Sequence, residues 1–175
     1  MSSAGPDQTL TKPLLQPSPS VAAPAPISPV FPPLHDPGLL TRVSTPFQTV
    51  DFALKGYHLD ATVSPEQVVS SASEMDREGF ALDTITGVDW IAQAQMEVVY
   101  DYFHPVNGLR AVIRSRISRE NPEIDTISNV YSGANWHERE THDFFGIRFL
   151  GHPDLTPFLL PEDATDHPLR KDFTS

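Results

Sequence analysis

MEVVYDYFHPVNGLRAVIRSRI, residues 96–117, is the stretch whose reading decides the fold. Met96, Val98, Tyr100 and Tyr102 fall on every second position, the period of a half-buried strand. His104 to Gly108 then ends in Asn-Gly, a strong hairpin signal. Leu109, Ala111, Ile113, Ser115 and Ile117 return with the same period, and Arg110, Arg114 and Arg116 fall on the opposite face. Two antiparallel strands are therefore expected here. The basic row is either a solvated outer face or a surface that pairs with an acidic neighbour.

Working outward, Tyr57, Leu59, Ala61 and Val63 alternate as another strand. Ser64, Pro65 and Gln67 form a helix-start signal, with Ser as cap, Pro in the first turn and Gln completing a capping box. Val68, Ala72 and Met75 follow at helical spacing, and Gly79 can close that helix. Phe80 to Asp89 reads as extended. Further on, Asn135 can cap a helix with Glu138 and Glu140 in its first turn, and Gly146 marks its end. Ile147 and Phe149 then alternate around Arg148. This grouping predicts an α+β fold: a mainly antiparallel sheet, helices packed on one face, an extended N-terminal arm and a C-terminal tail.

The chain has 175 residues and a formal net charge of -11. Eleven of its 18 prolines lie in residues 1–46, where the four charged side chains (Asp7, Lys12, Asp36, Arg42) cancel. The sequence thus divides into a Pro-rich arm (1–46), an acidic domain (47–150) and a Pro-punctuated tail (151–175). The arm holds too few large apolar groups to fold alone. It is an extended belt on a partner, anchored by Phe31 to Leu40, or a disordered tail. The remainder is large enough to bury roughly two-thirds of its unfolded surface in one core.

Composition excludes several classes. There is no cysteine, hence no disulfide, no thiolate nucleophile and no Cys-ligated cluster in this chain. No run of about 18 apolar residues is present, so no membrane span is expected. A secretory signal is not expected either, because the start lacks a basic patch before an apolar stretch. The acidic balance argues against nucleic acid.

Residues 135–175, NWHERETHDFFGIRFLGHPDLTPFLLPEDATDHPLRKDFTS, concentrate the chemistry. His137, Glu138, Glu140, His142, Asp143, His152 and His167 suggest a metal site. Yet a zinc-protease helix needs HExxH, and His137 and His142 are five apart, about 140° around a helix. Glu138 and Glu140, two apart, do not face each other for acid–base work. No nucleophile elbow and no Gly-rich phosphate loop are present. Arg139 between two acids suggests internal ion pairs. The closing PLRKDF mixes apolar anchors and charges, as a segment built to lie on another protein would.

This stretch resembles the C subunit of the proton-pumping NADH-quinone oxidoreductase (respiratory complex I). The same family includes the matching small subunit of energy-converting membrane-bound nickel–iron hydrogenases. The resemblance rests on Glu138, Arg139, Glu140, Asp143, Phe144 and Phe145, then Gly151, His152 and Pro153. It continues in Leu159 to Asp163 and closes on His167, Pro168, Leu169, Arg170, Lys171 and Asp172. It covers about residues 57–173 and departs from the complex I pattern at Thr156, Pro157, Ala164 and Asp166.

The resemblance implies a non-catalytic structural subunit of a membrane-attached redox complex, without a cofactor or active site of its own. Iron–sulfur clusters, and a quinone or nickel–iron site, would sit in partner subunits. The implied partners are the large catalytic subunit and the adjacent cluster-bearing small subunit. The implied interface is Glu138, Arg139, Glu140, Asp143, Phe145, His152, Pro153, His167, Pro168, Leu169, Arg170, Lys171 and Asp172. The implied location is the cytoplasmic side of the cell membrane, peripheral and held only through the complex.

Overall fold

The structure, a computed structural model, describes Met1 and residues 38–174. The anchors expected at Phe31 to Asp36, and most of the arm, lie outside the described residues.

The hairpin forms as its alternation predicts. One strand, β4 (Gln95–Phe103), pairs antiparallel with another, β5 (Arg110–Ser118), with Tyr100 opposite Ile113 and Val98 opposite Ser115. Gly108 takes φ +72° in the turn, where the Asn107 side chain accepts the Leu109 N–H at 3.0 Å. The edge strand β3 (Ala81–Trp90) pairs antiparallel with β4.

The strand expected over 57–63 forms as β2 (Leu59–Val63), but it lies beside β5 and runs parallel to it. A two-residue strand, β1 (Gln48–Thr49), completes the order β1-β2-β5-β4-β3. The sheet is therefore mixed. Between β2 and β3 the chain crosses one face as helix α3 (Val68–Arg77). Gln67 accepts from the Ser64 N–H at 3.1 Å, as the capping signal predicts, and Gly79 closes the helix at φ +84°.

Val68, Ala72 and Met75 of α3 bury against Leu59, Val63, Met96, Tyr100, Tyr102 and Ile113. Burying each large apolar side chain of that set contributes about 1.5–3 kcal/mol. The second long helix, α4 (Ala134–Phe145), covers β3 on the same face. Gly87 makes this close approach possible, since a Cβ there would stand 2.6 Å from the Phe145 ring.

The outer face carries the basic row. Arg110 pairs with Asp83 and, at 3.0 Å, with Asp101. Arg114 pairs with Asp60 at 3.2 Å, and Arg116 with Glu97 at 3.1 Å. Arg116 also lies over the Trp90 ring, 4.9 Å from its centroid. The row is therefore neutralised by acids of its own sheet, and its charge is balanced without an acidic neighbour.

Residues 38–46, placed with the arm by composition, are fastened to α3 instead. Leu39 of a short helix, α1 (Leu39–Arg42), is 2% exposed. The Glu74 carboxylate accepts from the Ser44 N–H and from both the N–H and hydroxyl of Thr45, at 2.8–2.9 Å. A one-turn helix, α2 (Phe52–Lys55), leads into β2.

Candidate functional site

The region around α4 and the tail holds every signature residue. The helix begins one residue earlier than expected, and Asn135 is not its cap. The N–H groups of Ala134, Asn135 and Trp136 are taken by the carbonyls of Tyr131, Ser132 and Gly133, which leaves no role for a capping side chain. Glu138 is turned inward rather than closing a capping box.

Ala134, Glu138 and Thr141 are buried and Phe145 is half-buried, at helical spacings of 4, 3 and 4. This stripe faces β3 and the loop after β6 (Glu123–Asp125), a short strand parallel to β7 (Arg148–Leu150). Glu138 is fully buried. Its Oε1 accepts the Ile127 N–H at 2.8 Å and its Oε2 accepts from the Thr126 hydroxyl. Burial pushes its carboxyl up to about 7, against the pull of those two donors.

Arg139 makes no ion pair with its neighbours in sequence. It donates to the carbonyls of Thr156 and Pro157, each at 3.1 Å, and lies over the rings of Trp136 and Phe158. Glu140 is exposed, with no hydrogen-bond or ion-pair partner among the described residues.

Asp143 is the anchor of the tail. Its Oδ2 accepts three successive backbone N–H groups, from Phe158 (2.9 Å), Leu159 (2.7 Å) and Leu160 (3.1 Å). Burial raises its pKa, but the three donors outweigh it and hold the carboxyl below the usual range. A segment so punctuated by proline was expected to have little means of folding on itself. One carboxylate that gathers three amides supplies those means.

HPLRKD closes the same helix from its other end. An α-helix leaves its last carbonyls without partners. Here His167 Nδ1 donates to the Asp143 carbonyl (2.8 Å), the Leu169 N–H to Phe144 (3.1 Å) and Arg170 Nε to Phe145 (2.7 Å). A guanidinium at a helix C-terminus also suits the helix dipole. Gly146, at φ +71°, lies beneath His167 and Arg170, and a Cβ there would stand 2.4 Å from His167 Nε2.

The tail is then tied to the sheet. The Lys171 N–H donates to Asp89 at 2.9 Å. Asp89 takes both arms of Arg119 at 2.8 and 3.0 Å, and Arg119 reaches Asp172 at 2.6 Å. Asp89, Arg119, Thr126 and Gly87 complete the arrangement. No local motif marks Asp89 or Arg119, whose partners stand far along the chain. Thr126 and Gly87 are likewise ordinary in sequence. The inward stripe through Glu138 was legible in principle from its spacing.

Of the residues expected at a partner interface, Glu138 and Asp143 are buried and bonded within their own chain. His152 is partly buried, and its ring contacts the Asn135 carbonyl and the Asp154 N–H. Pro153, Leu169, Lys171 and Asp172 are exposed. Trp136, Phe158, Leu159 and Phe173 join them on the surface of α4 and the tail, with Trp136 and Leu159 each 54% exposed. Among the described residues, no group of three or more His, Asp or Glu side chains converges on a metal position. No helix among them is long and apolar enough to cross a membrane.

The fold and this stitching define a class, a small α+β domain whose signature residues pin its own C-terminal tail. The chain belongs to the family described as respiratory-chain NADH dehydrogenase, 30 Kd subunit, whose model matches residues 61–175. It is 39% identical over 119 residues to the C subunit of the NADH-quinone oxidoreductase of Roseiflexus castenholzii, covering 65% of this chain and 68% of that one. It is 42% identical over 96 residues to the C subunit of the F(420)H(2) dehydrogenase of Methanosarcina mazei, covering 53% and 59%. Among solved structures it is similar to a chain of the membrane-bound sulfane sulfur reductase, an archaeal respiratory membrane complex. That match has a TM-score of 0.69 and 25% identity, over 78% of this chain and 81% of that chain. The chain is thus the C subunit of a complex I-like respiratory assembly.

Proposed function

We propose that the chain is a non-catalytic structural subunit that docks the large catalytic subunit of an NADH-quinone oxidoreductase type complex. The observation that carries this reading is the exposed apolar row on a tail held rigid from within: Trp136, Phe158, Leu159, Leu169 and Phe173. A monomeric surface rarely keeps such a row without a partner. Asp143, Arg139 and the HPLRKD segment act one step removed, by holding those side chains in place. The unpaired Glu140, and the acidic loop carrying Glu162, Asp163 and Asp166, would face basic groups of the partner. In this reading the iron–sulfur clusters and the quinone site belong to neighbouring subunits. The chain attaches on the cytoplasmic side of the membrane only through them.

A second reading, the equivalent subunit of an energy-converting nickel–iron hydrogenase, is favoured by Thr156, Pro157, Ala164 and Asp166 in the tail. Co-purification of the tagged chain from native membranes in mild detergent tests both. A flavin- and NADH-binding subunit is the expected companion. A large partner with paired CxxC motifs and no NADH-binding subunit would favour the hydrogenase. Arg139→Ala or Asp143→Asn should lower the amount of assembled complex and leave turnover per assembled unit unchanged. Normal assembly with lost turnover would overturn the structural role.

A further inference from the structure

Glu138 and His152 meet where no ion pair is needed. Both side chains are wholly inaccessible, with His152 Nε2 3.8 Å from Glu138 Oε2. His152 Nδ1 accepts the Asp154 N–H at 3.1 Å, and Nε2 faces the Asn135 carbonyl at 3.3 Å. A carbonyl only accepts and an N–H only donates, so the ring fits as the neutral Nε2–H form. A second proton on Nδ1 would point at the Asp154 N–H.

Glu138 has the opposite freedom. Its Oε2 contacts the Thr126 hydroxyl, which lies 2.8 Å from the hydroxyl of the partly exposed Ser128. The Thr126 hydroxyl has one proton and two acceptors in reach, so the chain of hydroxyls can run in either direction. Other groups facing the site are Tyr100 and Tyr102 from β4, Asp125 from β6, Asp154 beside His152, and Arg139 on the same helix. The Tyr100 hydroxyl is buried without a partner among the described residues, and a negative charge on Glu138 opposes its ionisation.

We propose that Glu138, His152 and the Thr126–Ser128 hydroxyl pair form a buried proton-binding site, in which Glu138 takes up the proton and His152 stays neutral. In uptake the Thr126 proton passes to Glu138 Oε2 and the Ser128 proton to Thr126 Oγ1. A solvent proton then restores Ser128, so one proton is gained and no other bond changes. The site lies between α4 and the loop at 151–157, so its protonation is coupled to how firmly the two hold together. Burial of the Glu138 carboxyl supports this assignment.

The test is carbon-13 NMR of glutamate carboxyls, and nitrogen NMR of histidine rings, in the full chain across a pH titration. One carboxyl should titrate between about pH 6 and 8 rather than near 4.3, and vanish in Glu138→Gln. The His152 ring should remain the neutral Nε2–H tautomer over that range. Thr126→Val, which removes a donor to the carboxylate, should move the midpoint upward. If every glutamate titrates in its ordinary range, or if His152 becomes imidazolium there, the proposal is wrong. Should Glu138→Gln fail to fold, the wild-type and Thr126→Val titrations still decide it.

Discussion

The Arg170 guanidinium donates to the Phe145 carbonyl at 2.7 Å, 25 residues back along the chain. It fills a place that a helix ordinarily leaves to solvent or to a local cap. With His167 and Leu169 it satisfies three successive carbonyls at the end of α4. The closing motif is therefore first a cap for the signature helix. Any contact with another subunit is made by side chains this cap leaves outside, such as Leu169 and Phe173.

The Asp143 carboxylate should be the most sensitive point of the tail. Asp143→Asn keeps the shape but replaces charge-assisted bonds with weaker ones, at a cost of about 1.5–3 kcal/mol. Hydrogen exchange should accelerate at the amides of Phe158, Leu159 and Leu160 and leave β4 and β5 protected. Uniform acceleration across the domain would contradict a local latch.

Two glycines separate backbone strain from contact. Gly56 has φ +79° with nothing within 4 Å of a new Cβ, and Gly146 has φ +71° beneath His167 and Arg170. Gly56→Ala should cost the left-handed penalty alone, about 1–2 kcal/mol. Gly146→Ala should cost that plus the tail's hydrogen bonds, at least about 3 kcal/mol in all. Chemical denaturation of both variants measures the difference, and equal losses would argue against the packed cap.

Acid should loosen the tail. Arg119 holds the Asp89 carboxyl below its ordinary range, outweighing the upward push of burial. Asp143 is also held low, because its three amide donors outweigh burial. A depressed folded pKa gives stability that is fully present above the unfolded value near 4. It is lost as pH falls through the lower folded value. Urea midpoints taken from about pH 6 down to 2 should fall more steeply for the wild type than for Asp89→Asn. Parallel curves would show that Asp89 contributes nothing to the acid response.

What the sequence made legible was local. The alternation of Met96 to Tyr102, the Asn-Gly turn and the Ser64–Gln67 capping signal each concern a few adjacent residues, and each formed. The parallel placement of β2 beside β5 was not legible, because alternation sets the face a strand buries and not its partner. The Arg110, Arg114 and Arg116 row was seen, but its acids come from β2, β3 and β4 and are joined only by the folded sheet. The signature motif was legible as a family mark. Its physical task was hidden because Asp143 acts on residues 158–160 and Asp89 on Lys171, which is 82 residues away.

The signature residues fix a tail whose exposed apolar row is proposed to dock the large subunit. The most direct measurement is recovery of that subunit with a tagged Trp136→Ala, Leu159→Ala chain from native membranes in mild detergent. Both side chains are more than half exposed, so the fold should stay intact by circular dichroism. The account predicts at least a tenfold loss of the large subunit, roughly the 1.4 kcal/mol expected from losing two interface anchors. Undiminished recovery with an intact fold would contradict it.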